Sequence, residues 1–139
     1  PDGLENVLKA AGQLRGEKSK LICLFGCGGD RDSTKRPIMA HIAEKMADKV
    51  IITSDNPRSE DPQQIITDVL SGIQSLDQDR IFVEIDRRSA IELAIKMASE
   101  DDIVVLAGKG HENYQILKDE TIHFDDREEA AAALKKIKV

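Results

Sequence analysis

Apolar positions along the chain alternate between a helical and an extended rhythm. Leu4, Val7, Leu8, Ala11 and Leu14 recur at helical spacing, which predicts an amphipathic helix over residues 3–14. Leu21-Ile22-Cys23-Leu24-Phe25 is an unbroken apolar run closed by Gly26, the pattern of a strand covered on both faces, as in parallel sheets. Ser33 or Thr34 with Pro37 marks the start of a second helix, and Ile38, Met39, Ile42 and Met46 supply its buried stripe down to Ala47. The β-branched run Val50-Ile51-Ile52-Thr53, entered from Lys49, is a second strand. Pro62 opens a third helix carrying Ile65, Ile66, Val69, Leu70 and Ile73, and Ile81 to Ile85 is a third strand. Arg87 to Ser99 gives a fourth helix with Ile91, Ala94, Ile95 and Ala98 inward, and Ile103 to Ala107 a fourth buried strand.

Strands too apolar to have a wet face, alternating with helices, predict an α/β fold: a doubly wound, Rossmann-like, mostly parallel sheet with helices on both sides and right-handed crossovers. The tail breaks the rhythm. Tyr114 to Leu117 and Thr121 to Phe124, joined by Lys118-Asp119-Glu120, read as an antiparallel β-hairpin expected at the edge of the sheet. Asp125 or Asp126 is then placed to cap a last helix running to Ile137. With no repeat, low-complexity tract or linker, residues 1–139 read as a single domain.

Composition narrows the partners. At 40% hydrophobic and 33% charged, with no apolar run near the ~20 residues that span a bilayer, a membrane protein is not expected. Lys and Arg number 20 against 26 Asp and Glu, a net charge of −6; no basic stripe is available to neutralise nucleic-acid phosphates. Cys23 and Cys27 have neither C-x-x-C spacing nor a disulfide framework around them. Two buried thiols in a reducing compartment fit best, and no export signal is visible, so a cytoplasmic location is expected.

Ligands of open parallel sheets bind outside the carboxyl ends of the strands, which singles out three loops. They are Gly26-Cys27-Gly28-Gly29-Asp30-Arg31, Ser54-Asp55-Asn56-Pro57-Arg58 and Gly108-Lys109-Gly110-His111-Glu112. In the first, Arg31 stands where a dinucleotide fingerprint would have its third glycine, but the glycines can still form an anion-binding nest beside a guanidinium fork. A tight turn with Arg31 solvated is the plain alternative. In the second, Pro57 holds Asn56 extended and stiffens the presentation of Asp55, Asn56 and Arg58. The plain alternative is a turn in which Arg58 pairs with Glu60 or Asp61. The third lacks the spacing and hydroxyl of a P-loop, as does the rest of the chain, so this domain is not expected to hydrolyse ATP alone. No two histidines stand at metal-ligand spacing.

Arginine forks from two loops facing Glu112 would make a pocket with both signs of charge, the requirement for a substrate bearing carboxylate and ammonium together. The alternative is an ion-pair cluster with no ligand. Readings as a stand-alone ligand-sensing or receiver-like module using the Asp55 loop and Lys109, or as a phosphate-handling hydrolase using the glycine loop and Arg31, remain beside it. Gly26-Cys27-Gly28-Gly29 stands where a receiver has its acidic cluster, and no histidine is near Cys27 in sequence.

Three stretches carry a specific resemblance. Gly26-Cys27-Gly28-Gly29-Asp30-Arg31-Asp32 with Lys35-Arg36-Pro37, then Asp55-Asn56-Pro57-Arg58, then Ala107-Gly108-Lys109-Gly110-His111-Glu112-Asn113-Tyr114-Gln115 resemble the C-terminal domain motifs of the Mur ligases of the MurE type. These add meso-diaminopimelate to UDP-N-acetylmuramoyl-L-alanyl-D-glutamate. The similarity runs through essentially the whole chain, including Pro1-Asp2-Gly3-Leu4-Glu5, and implies the amino-acid-binding, C-terminal part of a larger three-domain ligase of peptidoglycan synthesis. It implies ATP and Mg2+ held mainly by domains outside this chain, no cofactor in this domain alone, the UDP-linked dipeptide bound through the other domains, and a monomer. It implies no acid-base catalyst here. Carried over position by position, Arg31, Asp55, Asn56, Pro57, Arg58, Gly108 and Glu112 match the family's diaminopimelate-binding positions.

Overall fold

The computed structural model describes residues 2–14, 16, 18–29, 32–99, 101–107, 114–116, 121–123 and 126–137. Its elements are α1 (Asp2–Leu14), β1 (Leu21–Cys27), α2 (Lys35–Met46), β2 (Lys49–Ser54), α3 (Pro62–Leu70), β3 (Ile81–Val83), α4 (Arg87–Met97), β4 (Ile103–Ala107), β5 (Tyr114–Ile116), β6 (Thr121–His123) and α5 (Asp126–Ile137).

Four strands form one sheet in the order β3-β2-β1-β4, and every pairing in it is parallel. Strand periodicity divides the core. Leu21, Cys23, Phe25 and Cys27 point to one face, against Leu4 and Leu8 of α1, Ala40 and Ala43 of α2, and Ile65, Ile66 and Val69 of α3. Ile22 and Leu24 point to the other, against Ala90, Ile91 and Ala94 of α4, with Ala130 of α5 alongside. Helices therefore cover both sides, as the apolar runs require. The chain steps outward from β1 to β3 with α2 and α3 on one face, then returns along the opposite face through α4 to set β4 on the far side of β1. The strand order reverses between β1 and β4, and the carboxyl ends of those strands are the crevice where ligands of this architecture bind.

The structure moves several expected boundaries. β1 does not stop at Phe25: Gly26 and Cys27 continue the ladder opposite Thr53 and Ser54. A β-carbon at Gly26 would lie 2.7 Å from the Thr53 carbonyl oxygen, so the missing side chain is what lets the strand extend. β3 ends at Val83 rather than Ile85: Glu84 N still donates to Ile52 O at 3.0 Å, but Ser54 Oγ then donates to Ile85 O at 2.8 Å, taking that carbonyl out of the ladder. In α2, Ile38 is 49% exposed while Arg36 is 2% exposed. The buried stripe is Arg36, Ala40 and Ala43, with Met39, Ile42 and Met46 packed on its flank. Ion pairing of Arg36 and two small alanines set the phase of this helix, where bulk alone pointed to Ile38. In α1, Val7 and Leu14 are exposed and only Leu4, Leu8 and Ala11 enter the core.

The expected place of the hairpin also differs. β5 and β6 pair antiparallel with each other, but as a separate two-stranded sheet, and the edges of the four-stranded sheet are β3 and β4. Two three-residue strands near in sequence satisfy each other at little loop-closure cost, whereas joining the main sheet would require alignment along β4. The expected turn, 117–120, lies outside the described residues.

Candidate functional site

Two of the three singled-out loops are described where they leave the strands, and they are locked together. Asp55, Asn56 and Pro57 are buried immediately after β2, with Asn56 only 1% exposed. Gly29 N donates to the Asn56 carbonyl at 2.7 Å. Arg58 returns the contact, its Nη1 donating to Gly29 O at 3.0 Å and to Asn56 O at 3.3 Å. Arg58 sits at φ 53°, a left-handed conformation that costs a non-glycine residue about 1–2 kcal/mol. Among the described residues it is the only non-glycine residue with positive φ, a sparsely populated conformation of the kind that clusters at ligand sites.

The plain alternative for Arg58 is not what the structure contains. Glu60 is taken by Arg36 at 2.9 Å, and Asp61 caps α3 by accepting from Gln63 N at 3.0 Å. Among the described residues Arg58 has carbonyl partners through Nη1 and no carboxylate. Arg31, Gly108 and Glu112 lie outside the described residues, so of the expected site the structure assembles Asp55, Asn56, Pro57 and Arg58.

A pocket of about 400 Å3 opens beside the clasp, lined among others by Gly26, Gly28, Asp32, Lys35, Arg36 and Asp55. Its lining includes Arg36, which the sequence placed in the Lys35-Arg36-Pro37 stretch of the resemblance without assigning it a role. Arg36 donates to Asp68 at 2.8 Å, to Glu60 at 2.9 Å and to the Gly28 carbonyl at 3.1 Å, tying the glycine loop to α3 and to the loop after β2. These carboxylates raise the Arg36 pKa above its already high value, with the Glu60 hydrogen bond the largest cause. Burial pushes the thiol of Cys27, on the same wall, up to about 11, which disfavours the reactive thiolate form. Cys23 is pushed up to about 12 by burial, and both cysteines are free.

Arg87 is the second residue missed. Fully buried at the first turn of α4, it makes a two-pronged pair with Asp126, Nε to Oδ1 at 2.7 Å and Nη2 to Oδ2 at 2.6 Å. Asp126 thus opens α5 as the partner of Arg87 rather than as a free cap. A signal for both arginines was present: a cation in the first turn of a helix opposes the helix dipole, so Arg36 and Arg87 needed partners from elsewhere.

Among the described residues no group of three His, Cys, Asp or Glu side chains is placed to hold a metal ion, and no helix is long and apolar enough to cross a membrane. A solved structure titled UDP-N-acetylmuramoyl-L-alanyl-D-glutamate–2,6-diaminopimelate ligase superposes on all of this chain with a TM-score of 0.92 and 45% identity, using 28% of its own length. The family described as Mur ligase, glutamate ligase domain, matches residues 1–110. The chain belongs to the Mur ligase family.

Within that family it is similar to proteins bearing the same diaminopimelate ligase name. One from Synechococcus elongatus is 59% identical over 135 residues, 96% of this chain and 26% of the relative. One from Clostridium acetobutylicum is 54% identical over 137 residues, 99% of this chain and 27% of the relative. The chain therefore spans about a quarter of the length of the curated relatives it matches. The family assignment favours the ligase reading over the receiver-like and hydrolase alternatives.

Proposed function

We propose that this Mur ligase domain delivers meso-diaminopimelate to an ATP-dependent, amide-forming ligase that extends UDP-N-acetylmuramoyl-L-alanyl-D-glutamate in peptidoglycan synthesis. The relatives' names and the near-complete match of this chain to about a quarter of their length support the reaction. The observation that carries the substrate is Arg58: a guanidinium held in a left-handed, carbonyl-clasped turn beside the buried Asp55 and Asn56. Meso-diaminopimelate has an amino-acid centre at each end. Arg58, with Arg31, reads the distal carboxylate; Asp55, Asn56, Glu112 and the Gly108 carbonyl receive the distal ammonium, and Pro57 fixes the loop.

The chemistry of this domain is positioning. Orienting the free amine toward an activated carboxyl can contribute about 7–11 kcal/mol of barrier reduction without any proton transfer by the protein. ATP and Mg2+ belong, on this reading, to the rest of the ligase. The whole enzyme works as a cytoplasmic monomer, in keeping with two buried free thiols and an acidic surface.

L-lysine lacks the distal carboxylate, and a site built to pair that group discriminates strongly against an analogue without it. In the full-length ligase, initial rates with meso-diaminopimelate and with L-lysine should differ by at least about a thousandfold in kcat/KM. Equal use of the two amino acids would overturn the assignment of Arg58.

A further inference from the structure

Arg87 does more than neutralise Asp126. Its Nη1 donates to the Ser54 carbonyl at 3.0 Å and its Nη2 to the Ala107 carbonyl at 3.2 Å. Ser54 ends β2 and Ala107 ends β4, and the two strands flank β1 on either side. One guanidinium thus spans the carboxyl end of β1 and fixes the last carbonyl of both neighbours. Asp126, from α5, holds that guanidinium by its other edge. Ser54 is held twice, since its Oγ also donates to Ile85 O just before α4. Asp55, the first residue of the recognition loop, follows directly.

We infer that Arg87, locked by Asp126, is a positioning residue for amino-acid binding. It sets the height and direction at which β2 releases Asp55-Asn56-Pro57-Arg58, and it holds the end of β4 to the same reference. The inference rests on the amino-acid-binding reading proposed above. A buried ion pair alone does not argue for such a role, because apolar residues of similar volume stabilise as well or better. The two carbonyl contacts do argue for it: no apolar pair can supply them, and both lie at the strand ends that launch candidate site loops.

That difference supplies the experiment. In the full-length ligase, Arg87→Met should lower thermal stability by leaving Asp126 buried without its cation. The double variant Arg87→Met/Asp126→Leu should recover most of that stability, since no charge remains, yet should still lack donors to Ser54 O and Ala107 O. The expected result is a KM for meso-diaminopimelate raised tenfold or more in the double variant, with the KM values for ATP and the UDP-linked dipeptide within twofold of the parent. Arg87→Lys, which keeps a cation but not the fork, should fall between the two. A double variant that regains parental stability and a parental meso-diaminopimelate KM would reduce Arg87 to a stability element and overturn the inference. Arg58→Ala, measured in parallel, separates the two levels. If it raises the amino-acid KM while the double variant does not, only the role of Arg87 falls. If Arg58→Ala is itself without effect, the site reading falls and this inference with it.

Discussion

Gly29 faces Pro57 with no room for a side chain: a β-carbon on Gly29 would lie 1.8 Å from the Pro57 carbonyl oxygen. The contact explains why the glycine loop after β1 and the rigid loop after β2 behave as one unit. Backbone meets backbone there, with the Gly29 amide on Asn56 and the Arg58 guanidinium on Gly29. Gly29→Ala must push the two loops apart. Overpacking of this kind costs about 1–3 kcal/mol, and the shift should also weaken meso-diaminopimelate use in the full-length ligase. Urea denaturation together with amino-acid saturation kinetics checks both; an alanine variant with parental stability and kinetics would contradict the geometry.

Arg58 gives the opposite signature. Its backbone is strained at φ 53°, so Arg58→Gly relieves about 1 kcal/mol of conformational cost while deleting the guanidinium. The unfolding midpoint should stay level or rise slightly, while kcat/KM for meso-diaminopimelate falls about a hundredfold or more, the scale of losing a charged, half-buried recognition partner. Arg58→Lys should be nearly as impaired, since a point charge cannot replace a planar fork. Loss of stability without loss of amino-acid discrimination would show that the residue serves the turn.

The two thiols define an alkaline limit. Burial lifts Cys27 to about 11 and Cys23 to about 12 from an ordinary 9.0. Groups whose folded pKa is raised stabilise the fold fully below the unfolded value and lose that contribution as pH rises through the folded one. Stability should therefore decline from about pH 9 upward as unfolded-state thiols ionise. At pH 8 iodoacetamide should leave both cysteines intact in the native protein and alkylate both in denaturant. Rapid native labelling of either one would show that it is not buried as described.

Asp102 sets a corresponding acid limit. Its carboxylate accepts from Lys20 N and from Ser99 N, each at 2.8 Å, joining the entries of β1 and β4. The Ser99 amide, followed by that of Lys20, holds its carboxyl below the ordinary 3.8. A depressed carboxyl contributes stability above its unfolded pKa and loses it as pH falls toward the folded one. Asp102→Ala should destabilise by about 1 kcal/mol at pH 7, and the gap between variant and parent should close below pH 4. A gap of the same size at pH 3 would assign the effect to packing.

The sequence by itself determined the order and type of the elements, because hydrophobic periodicity is a local property that survives in one dimension. Leu21 to Phe25 could only be a doubly covered strand, and the alternation of such strands with amphipathic helices left a parallel, doubly wound sheet as the economical arrangement. It also determined the family, and it singled out Asp55-Asn56-Pro57-Arg58 because that stretch is contiguous. What only the tertiary structure decided are relationships between residues far apart in the chain. Arg36 displaced Ile38 from the core because Glu60 and Asp68 come to meet it, and neither is visible from α2. Gly29 is required by Pro57, Arg58 is left off the nearby carboxylates because Arg36 and the α3 N-terminus take them, and Arg87 finds Asp126 39 residues away. Burial forces each guanidinium and each backbone carbonyl to find a partner, and which partner is available depends on where the folded chain brings its distant segments together.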